Sequence, residues 1–308
     1  MAPGNALMMR RALGIGAGDE VITTPMTAFA TTLAIIRAGA VPVLADIDPE
    51  TALLDPRSVA RCIGPRTKAV LLVHLYGQID EMSTWTGLCD KHGLSLLEDC
   101  AQSHLAACNG LPAGAFGRFG AYSFYPTKNL GAVGDAGALV TSDEALAAKA
   151  RMLRNYGQTT RYEHALLGMN SRLDEIHAAM LRARLDWLGR FTARRRAIGA
   201  RYLREIRNPA IRVLRSPVAA ERHSYHLFVV RCTRRDELSA HLKARGIENL
   251  AHYPIPVHKQ PAAAGMKRDP SGLGASERHA DECLSIPCHH NLADIEVGAV
   301  VEALNAFA

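Results

Sequence analysis

"AVLLVHLYGQIDEMSTWTGLCDKHGLSLLEDC", residues 69–100, decides the fold. Its two ends are nearly continuous apolar runs, and its middle has helical spacing closed by Gly93. Apolar runs without alternation are what strands show when helices cover both faces of a sheet, so the stretch reads as strand, helix, strand. The same alternation continues upstream. "VITTP" (21–25) and "VPVLADI" (41–47) read as strands, "TTLAIIRAG" (31–39) as a helix, and Asp55-Pro56 as a cap followed by a proline at the first helical position. Residues 6–13 have helical spacing. Gly14 to Gly18 superficially resemble a dinucleotide loop, but a helix precedes them and a strand follows, the reverse of what that fingerprint needs. They read as a helix C-cap and turn. A mostly parallel α/β sheet follows from this order.

Downstream, "FGAYSF" (119–124) and "GALVTS" (137–142) read as further strands and "SDEALAAKARMLRNYG" (142–157) as a capped helix. A long helical stretch from Ser171 to Ile206 puts Leu173, Ile176, Met180, Leu181, Leu185 and Leu188 on one apolar stripe, and it is expected to bridge two domains. The remainder, "SYHLFVVRC" (224–232), "RRDELSAHLKARG" (234–246), "NLAHYPIPVH" (249–258) and two terminal helices, makes a smaller α+β unit. The expected division is a large domain over 1–188, with the interdomain helix continuation and small domain over 189–308.

The chain has 308 residues, 48% hydrophobic and 21% charged, which excludes disorder and fibre. A net charge of +6 suits anionic substrates. The basic residues are scattered, and the tight run Arg194, Arg195, Arg196 reads as a solvated helix face. No nucleic-acid-binding motif with interleaved aromatics is present, so no nucleic acid is expected. The seven cysteines include no CxxC pair, which suggests neither a disulfide framework nor a zinc ribbon and makes the cytoplasm the default. Cys283, Cys288, His289 and His290 lack ligand spacing, so no metal is assigned. The start does not read as a signal peptide, and "AFATTLAIIRAGAVPVLADI" (28–47) is cut by Arg37, Gly39 and Pro42, so no membrane span is expected.

Ligands of open α/β sheets bind at the carboxyl ends of the strands. "LSLLEDCAQSH" (94–104) puts Glu98, Asp99, Gln102 and His104 at one such end, and "SFYPTKNLGAVGDAG" (123–137) puts Lys128 and a run of glycines after another. Asp99 is a helix N-cap or a ligand carboxylate. Lys128 is a stem-packed surface residue or a functional amine. Together they are a salt bridge or the two poles of a cofactor site.

"LSLLEDCAQSH", "GAYSFYPTKNLGAVGDAGALVTSD" (120–143), "GMNSRLDEIHAAMLRARL" (168–185) and "HYPIPVHKQP" (252–261) closely resemble, in that order, the motifs of the DegT/DnrJ/StrS-type sugar aminotransferases. The resemblance runs from about Ala6 to the C-terminus, and it implies a pyridoxal-phosphate enzyme of the aspartate aminotransferase fold. Lys128 matches the lysine that forms a Schiff base with the cofactor aldehyde and then shuttles a proton. Asp99 matches the carboxylate paired with the pyridinium nitrogen. Gln102 matches the residue beside the phenolic oxygen, against a helix-surface amide, and Ser123 a donor to the phosphate, against a strand-end serine. Asn170 matches an amide reaching the phosphate in a neighbouring subunit; read on its own it is a helix cap, and the two roles are compatible. That crossing implies a homodimer with shared active sites. His252, Tyr253 and His258 lie in a loop stiffened by two prolines, a pattern resembling members that act on nucleotide-linked 3-keto sugars, with glutamate as amino donor.

The sequence departs from the family pattern in two places. Members usually begin several tens of residues earlier and carry a serine-glycine-threonine phosphate loop, where this chain has Pro3-Gly4-Asn5-Ala6; the expectation is a shortened N-terminus with a reduced phosphate grip. The aromatic residue that commonly stacks on the pyridine ring falls on Ala28 in the strict register of "TPMTAFATT" (24–32), with Phe29 next to it as either stacking residue or core. The rival readings are a sugar dehydratase of the same family, in which histidine commonly replaces the lysine, and a regulatory homologue that no longer holds the cofactor.

Overall fold

The computed structural model describes residues 12–308, so Pro3-Gly4-Asn5-Ala6 and nearly all of the helix expected over 6–13 lie outside the described residues. From there, β1 (Glu20–Thr23), α1 (Phe29–Ala38), β2 (Val41–Leu44), α2 (Pro56–Cys62), β3 (Thr67–Val73), α3 (Met82–His92) and β4 (Ser95–Asp99) alternate. The small hairpin β5 (Ala107–Cys108) and β6 (Leu111–Pro112) precedes β7 (Phe119–Ser123), β8 (Gly137–Val140) and α4 (Glu144–Leu153). Local chemistry sets these ends. Asp55 caps α2 by accepting from the Arg57 N–H at 2.9 Å, with Pro56 at the first position. Gly93 stops α3 in the left-handed region at φ +64°, where its N–H reaches back to the helix carbonyls.

Among the described residues, the large sheet has seven strands in the order β13-β2-β1-β3-β4-β7-β8, where β13 (Lys267–Arg268) comes from the far end of the chain. All neighbours are parallel except β7 with β8. Core packs on both faces: Trp85 of α3 and Met82 lie on one side, Ile35 of α1 and Leu146 of α4 on the other. This two-sided burial is why the strands read as unbroken apolar runs.

A second hairpin, β9 (Gln158–Thr160) with β10 (Glu163–His164), leads to α5 (Glu175–Glu205), a single helix of 31 residues. Its first half packs through Leu181 and Leu188 on Leu130 and Ala132, and its second half through Ile198 and Tyr202 on the core of the C-terminal unit. The predicted apolar stripe is therefore only partly covered: Ile176 and Leu185 remain 67% and 55% exposed. The C-terminal unit contains the three-stranded sheet β11 (Arg212–Val213), β12 (Phe228–Arg231) and β14 (Cys283–Ile286), with α6 (Arg235–Lys243), α7 (Gly274–Glu282) and α8 (Asp294–Asn305). The chain beyond residue 188 thus contributes to both sheets.

The arginine run is not a solvated face. Arg195 is buried, and its Nη1 donates to the carbonyls of Tyr225 at 3.0 Å, His226 at 3.2 Å and Cys288. Arg196 donates to the carbonyls of His223, Leu105 and Glu221, and Arg194 to that of Leu292. The irregular segment 221–226 leaves carbonyls outside any ladder, and a planar fork of donors satisfies several at once.

No helix among the described residues is long and apolar enough to cross a membrane.

Candidate active site

Four parallel strands end side by side at Thr23, Val73, Asp99 and Ser123, and the strand order turns at β1, which has β2 on one side and β3 on the other. A crevice forms at such a reversal. A cavity of about 280 Å³ lies there, lined among others by Ala28, His74, Asp99, Gln102, Ser123 and Lys128.

Adjacent strand residues face opposite ways, and Glu98 and Asp99 show the consequence. Glu98 accepts from His74 Nε2 at 2.9 Å and from the backbone N–H groups of Gly114, Phe116 and Gly117 at 2.7 to 2.9 Å. Burial pushes its carboxyl up, but His74 and these backbone donors outweigh that and hold it below the usual value. Glu98 thereby fixes the turn leading into β7. Among the described residues, His74, Glu98 and Cys100 are the group close enough to share an ion, yet the Glu98 oxygens are already spent on four donors.

Asp99 faces the cavity. Its Oδ2 accepts from the Thr31 hydroxyl at 2.8 Å and its Oδ1 from the Ala101 N–H at 3.1 Å. No helix follows it, so it caps a turn instead, and Gln102 three residues on is buried rather than a helix-surface amide. Gln102 Oε1 accepts from the Tyr76 N–H at 2.6 Å, and its Nε2 donates to the Tyr253 hydroxyl at 3.4 Å. Ser123 ends β7, with Oγ accepting from the Tyr125 N–H at 3.3 Å.

Lys128 is half-buried in a tight loop that closes on Gly131, where a Cβ would strike the Pro126 carbon at 2.9 Å. Burial pushes its ammonium below the ordinary lysine value, and the Asp99 carboxylate partly offsets that. The amine and the carboxylate from two separate strand ends thus share one cavity.

The other sequence candidates are distributed differently. Ala28 lines the cavity, whereas Phe29, partly buried, packs against the core cluster of Leu44, Val257, Ala263 and Leu273. The cavity receives a methyl group where a ring was considered. Tyr253 lines it too, its hydroxyl pushed up to about 12 by burial and then by the Asp99 charge. His252 is half-buried, with Nδ1 2.8 Å from Ser285 Oγ. His258 is not among the lining residues; it pairs with Glu277 of α7 at 2.9 Å. Asn170 is exposed, accepts from Arg172 Nε at 3.0 Å, and is neither in this cavity nor the cap of α5, whose N-cap is Asp174.

Sequence reasoning missed Thr27, His74, Tyr125 and Asp135 in the lining, and Tyr76 and Thr31 behind it. A signal existed for His74: it is the first polar residue after the apolar run of β3, whose end lies beside that of β4.

The model of the DegT/DnrJ/EryC1/StrS aminotransferase family matches residues 3–305. A dTDP-3-amino-3,4,6-trideoxy-alpha-D-glucose transaminase of Streptomyces venezuelae is 46% identical over 301 residues, covering 97% of this chain and 79% of that protein. A protein of Geobacillus stearothermophilus named as a pleiotropic regulatory protein is 42% identical over 299 residues, covering 96% and 80%. Among solved structures, S. venezuelae DesV in complex with a ketimine intermediate superposes with a TM-score of 0.94 at 44% identity, covering 99% of this chain and 82% of that one.

Proposed function

Because this chain belongs to the DegT/DnrJ/EryC1/StrS aminotransferase family, we propose that it moves an amino group from L-glutamate onto the 3-keto carbon of a sugar carried on a nucleoside diphosphate. It is a pyridoxal-phosphate-dependent sugar transaminase; the donor and the ring position are what the proposal adds. One observation carries the residue assignment: half-buried Lys128 and buried Asp99 stand in the same cavity at the carboxyl ends of the strands.

The side chains present fit the cofactor's chemistry. Pyridoxal phosphate, when bound, supplies an aldehyde carbon and a ring that accepts an electron pair. Lys128, partly desolvated, holds more neutral amine near pH 7 than an exposed lysine, so its Nζ can act as nucleophile and afterwards carry a proton. Asp99 as a carboxylate only accepts, and with Thr31 and Ala101 orienting it, it can hold a protonated ring nitrogen. Ser123 offers a hydroxyl to a phosphate oxygen. Gln102 is fixed by Tyr76 and reaches Tyr253, which with His252 supplies hydroxyl and imidazole groups for the sugar. The net charge of +6 suits a diphosphate substrate.

The test is a half-reaction. Protein loaded with pyridoxal phosphate is expected to release one 2-oxoglutarate per site on addition of L-glutamate alone, with a change in visible absorbance. A nucleoside diphosphate 3-keto sugar then restores the spectrum and yields an amino sugar. No 2-oxoglutarate would refute the donor, and no amino sugar the acceptor.

A homodimer with composite sites is part of the same reading. Ile176, Leu185 and Trp187 of α5 are more than half exposed at 67%, 55% and 51%, and Leu167 at 74% precedes them, an apolar surface suited to a second copy. In that reading exposed Asn170, in the turn leading into α5, serves the partner's cofactor phosphate. Lys128→Ala and Asn170→Ala proteins are each expected to be impaired, and unfolding and refolding them together to restore about a quarter of wild-type activity, because half the dimers then carry one intact site. No recovery on mixing would count against shared sites. The unpaired cysteines suit a reducing compartment, and we place the protein in the cytoplasm.

A further inference from the structure

Asn129 follows Lys128 directly and is 2% exposed. Its Nδ2 donates to the Ser224 carbonyl at 3.1 Å, and its Oδ1 stands 3.2 Å from His226 Nδ1. Each contact fixes the sense of the other. With the amide turned over, its oxygen would face the Ser224 carbonyl oxygen with no proton between them, so Oδ1 faces His226 and the histidine donates from Nδ1. Burial first, and then the charges of Lys128 and Arg195, hold His226 well below the usual histidine value. The ring is therefore neutral, protonated on Nδ1 alone.

The backbone that carries this ring is itself held. Arg195 bonds the carbonyls of Tyr225 and His226. The Ser224 N–H donates to the Gly77 carbonyl at 2.9 Å and its hydroxyl to the Gln102 carbonyl at 3.0 Å. Gly77, at φ +97°, leaves no room for a Cβ, which would lie 2.7 Å from the Gln102 oxygen. Segment 223–226 is thus a bracket from the C-terminal part of the chain, bonded to the loops that bear Tyr76, Gln102 and Lys128.

We propose that His226 is a positioning residue for Lys128: its Nδ1–H holds the Asn129 amide, and that amide, tied also to the Ser224 carbonyl, fixes the backbone from which the lysine amine enters the cavity. The proposal rests on the reading of Lys128 as the nucleophile. Without the donor at 226, the Asn129 oxygen becomes a buried acceptor with no partner, a loss the 126–131 loop can relieve only by moving.

His226→Asn and His226→Leu test this, since an asparagine amide nitrogen can take the place of Nδ1–H and leucine cannot. In cofactor-free protein, the pH dependence of Lys128 acetylation, followed by mass spectrometry, gives the midpoint of its amine. Wild type and His226→Asn are expected to titrate below the exposed lysines. In His226→Leu the midpoint is expected to rise by about 0.5 pH or more as the amine relaxes toward water. In loaded protein, the single-turnover rate with L-glutamate is expected to fall about tenfold in the leucine variant and less than about threefold in the asparagine variant. Should His226→Leu fail to fold, Asn129→Ser, which also breaks the link, replaces it with the same expectations. Equal midpoints and equal rates in the asparagine and link-breaking variants would overturn the proposal. A wild-type Lys128 that titrates with the exposed lysines would instead overturn the reading of that residue, and the positioning role with it.

Discussion

Lys128→Ala is expected to show no borohydride-bleachable visible band with pyridoxal phosphate, and to turn over about 10³- to 10⁴-fold more slowly than wild type. The size follows from what is lost at one atom, both the nucleophilic amine and the group that carries the proton, which water replaces poorly in a partly desolvated cavity. The fold is not expected to suffer. A lysine whose ammonium is pushed down by burial costs stability at every pH below its unfolded value, because the unfolded chain holds the proton more readily than the native one. Its removal should leave the thermal midpoint of the cofactor-free protein unchanged or raised. Absorption spectroscopy before and after borohydride, with differential scanning calorimetry on the same samples, checks both halves. A variant that keeps the same reducible band would end the assignment of Lys128; one that loses the band only because it has unfolded would contradict the stability argument.

The alternation of strand and helix was legible because both faces of the large sheet are covered, which leaves an unbroken apolar signature in β3 and β4. The carboxylate and the amine were legible because they end two such runs, and polar residues at strand ends stand out against what precedes them. Features that depend on distant chain were not legible. The two-residue strand Lys267–Arg268 beside Val43 and Leu44 has no period to detect. Arg195 and Arg196 look solvated because composition says nothing of the carbonyls that segment 221–226 brings to them. Phe29 is the first residue of α1 and Ala28 its N-cap, and only the packing of Leu44 and Val257 decides which faces the cavity. Asn129 read as part of a motif, but its partners are roughly a hundred residues away in sequence, beyond any local pattern.

Acidification is expected to unfold the cofactor-free protein well before its carboxylates titrate, through four buried histidines. His104 is pushed down to about 4 by burial and then by Lys128, His223 to about 3 by burial and then Arg196, and His279 to about 3 by burial and then Arg231; His226 is held well below the usual value. Geometry supports the neutral state independently for His223, whose Nδ1 accepts the Tyr225 N–H at 3.0 Å while its ring stacks on that of Tyr225. The native values lie below the unfolded one, so the unfolded chain binds more protons throughout the interval. Stability from these groups is therefore complete above about pH 6.5 and drains away as pH falls toward 4 for His104 and 3 for the other two with values. Each histidine removes about 1.4 kcal/mol per pH unit once its unfolded form is protonated, so between pH 7 and 5 the four together cost on the order of 7 kcal/mol. That is comparable with the whole stability of many domains. Urea unfolding at pH 7, 6 and 5 is expected to show the midpoint collapsing, and calorimetry in two buffers of different ionisation enthalpy to count at least about four protons taken up on unfolding near pH 5.5, His252 and His290, also lowered by burial, adding to the four. His223→Asn should lower that count by about one, since asparagine can accept the same N–H without titrating. Flat stability from pH 7 to 5, or an uptake unchanged by the substitution, would mean that these histidines are already charged in the native state, and the neutral His226 on which the Lys128 bracket depends would lose its basis.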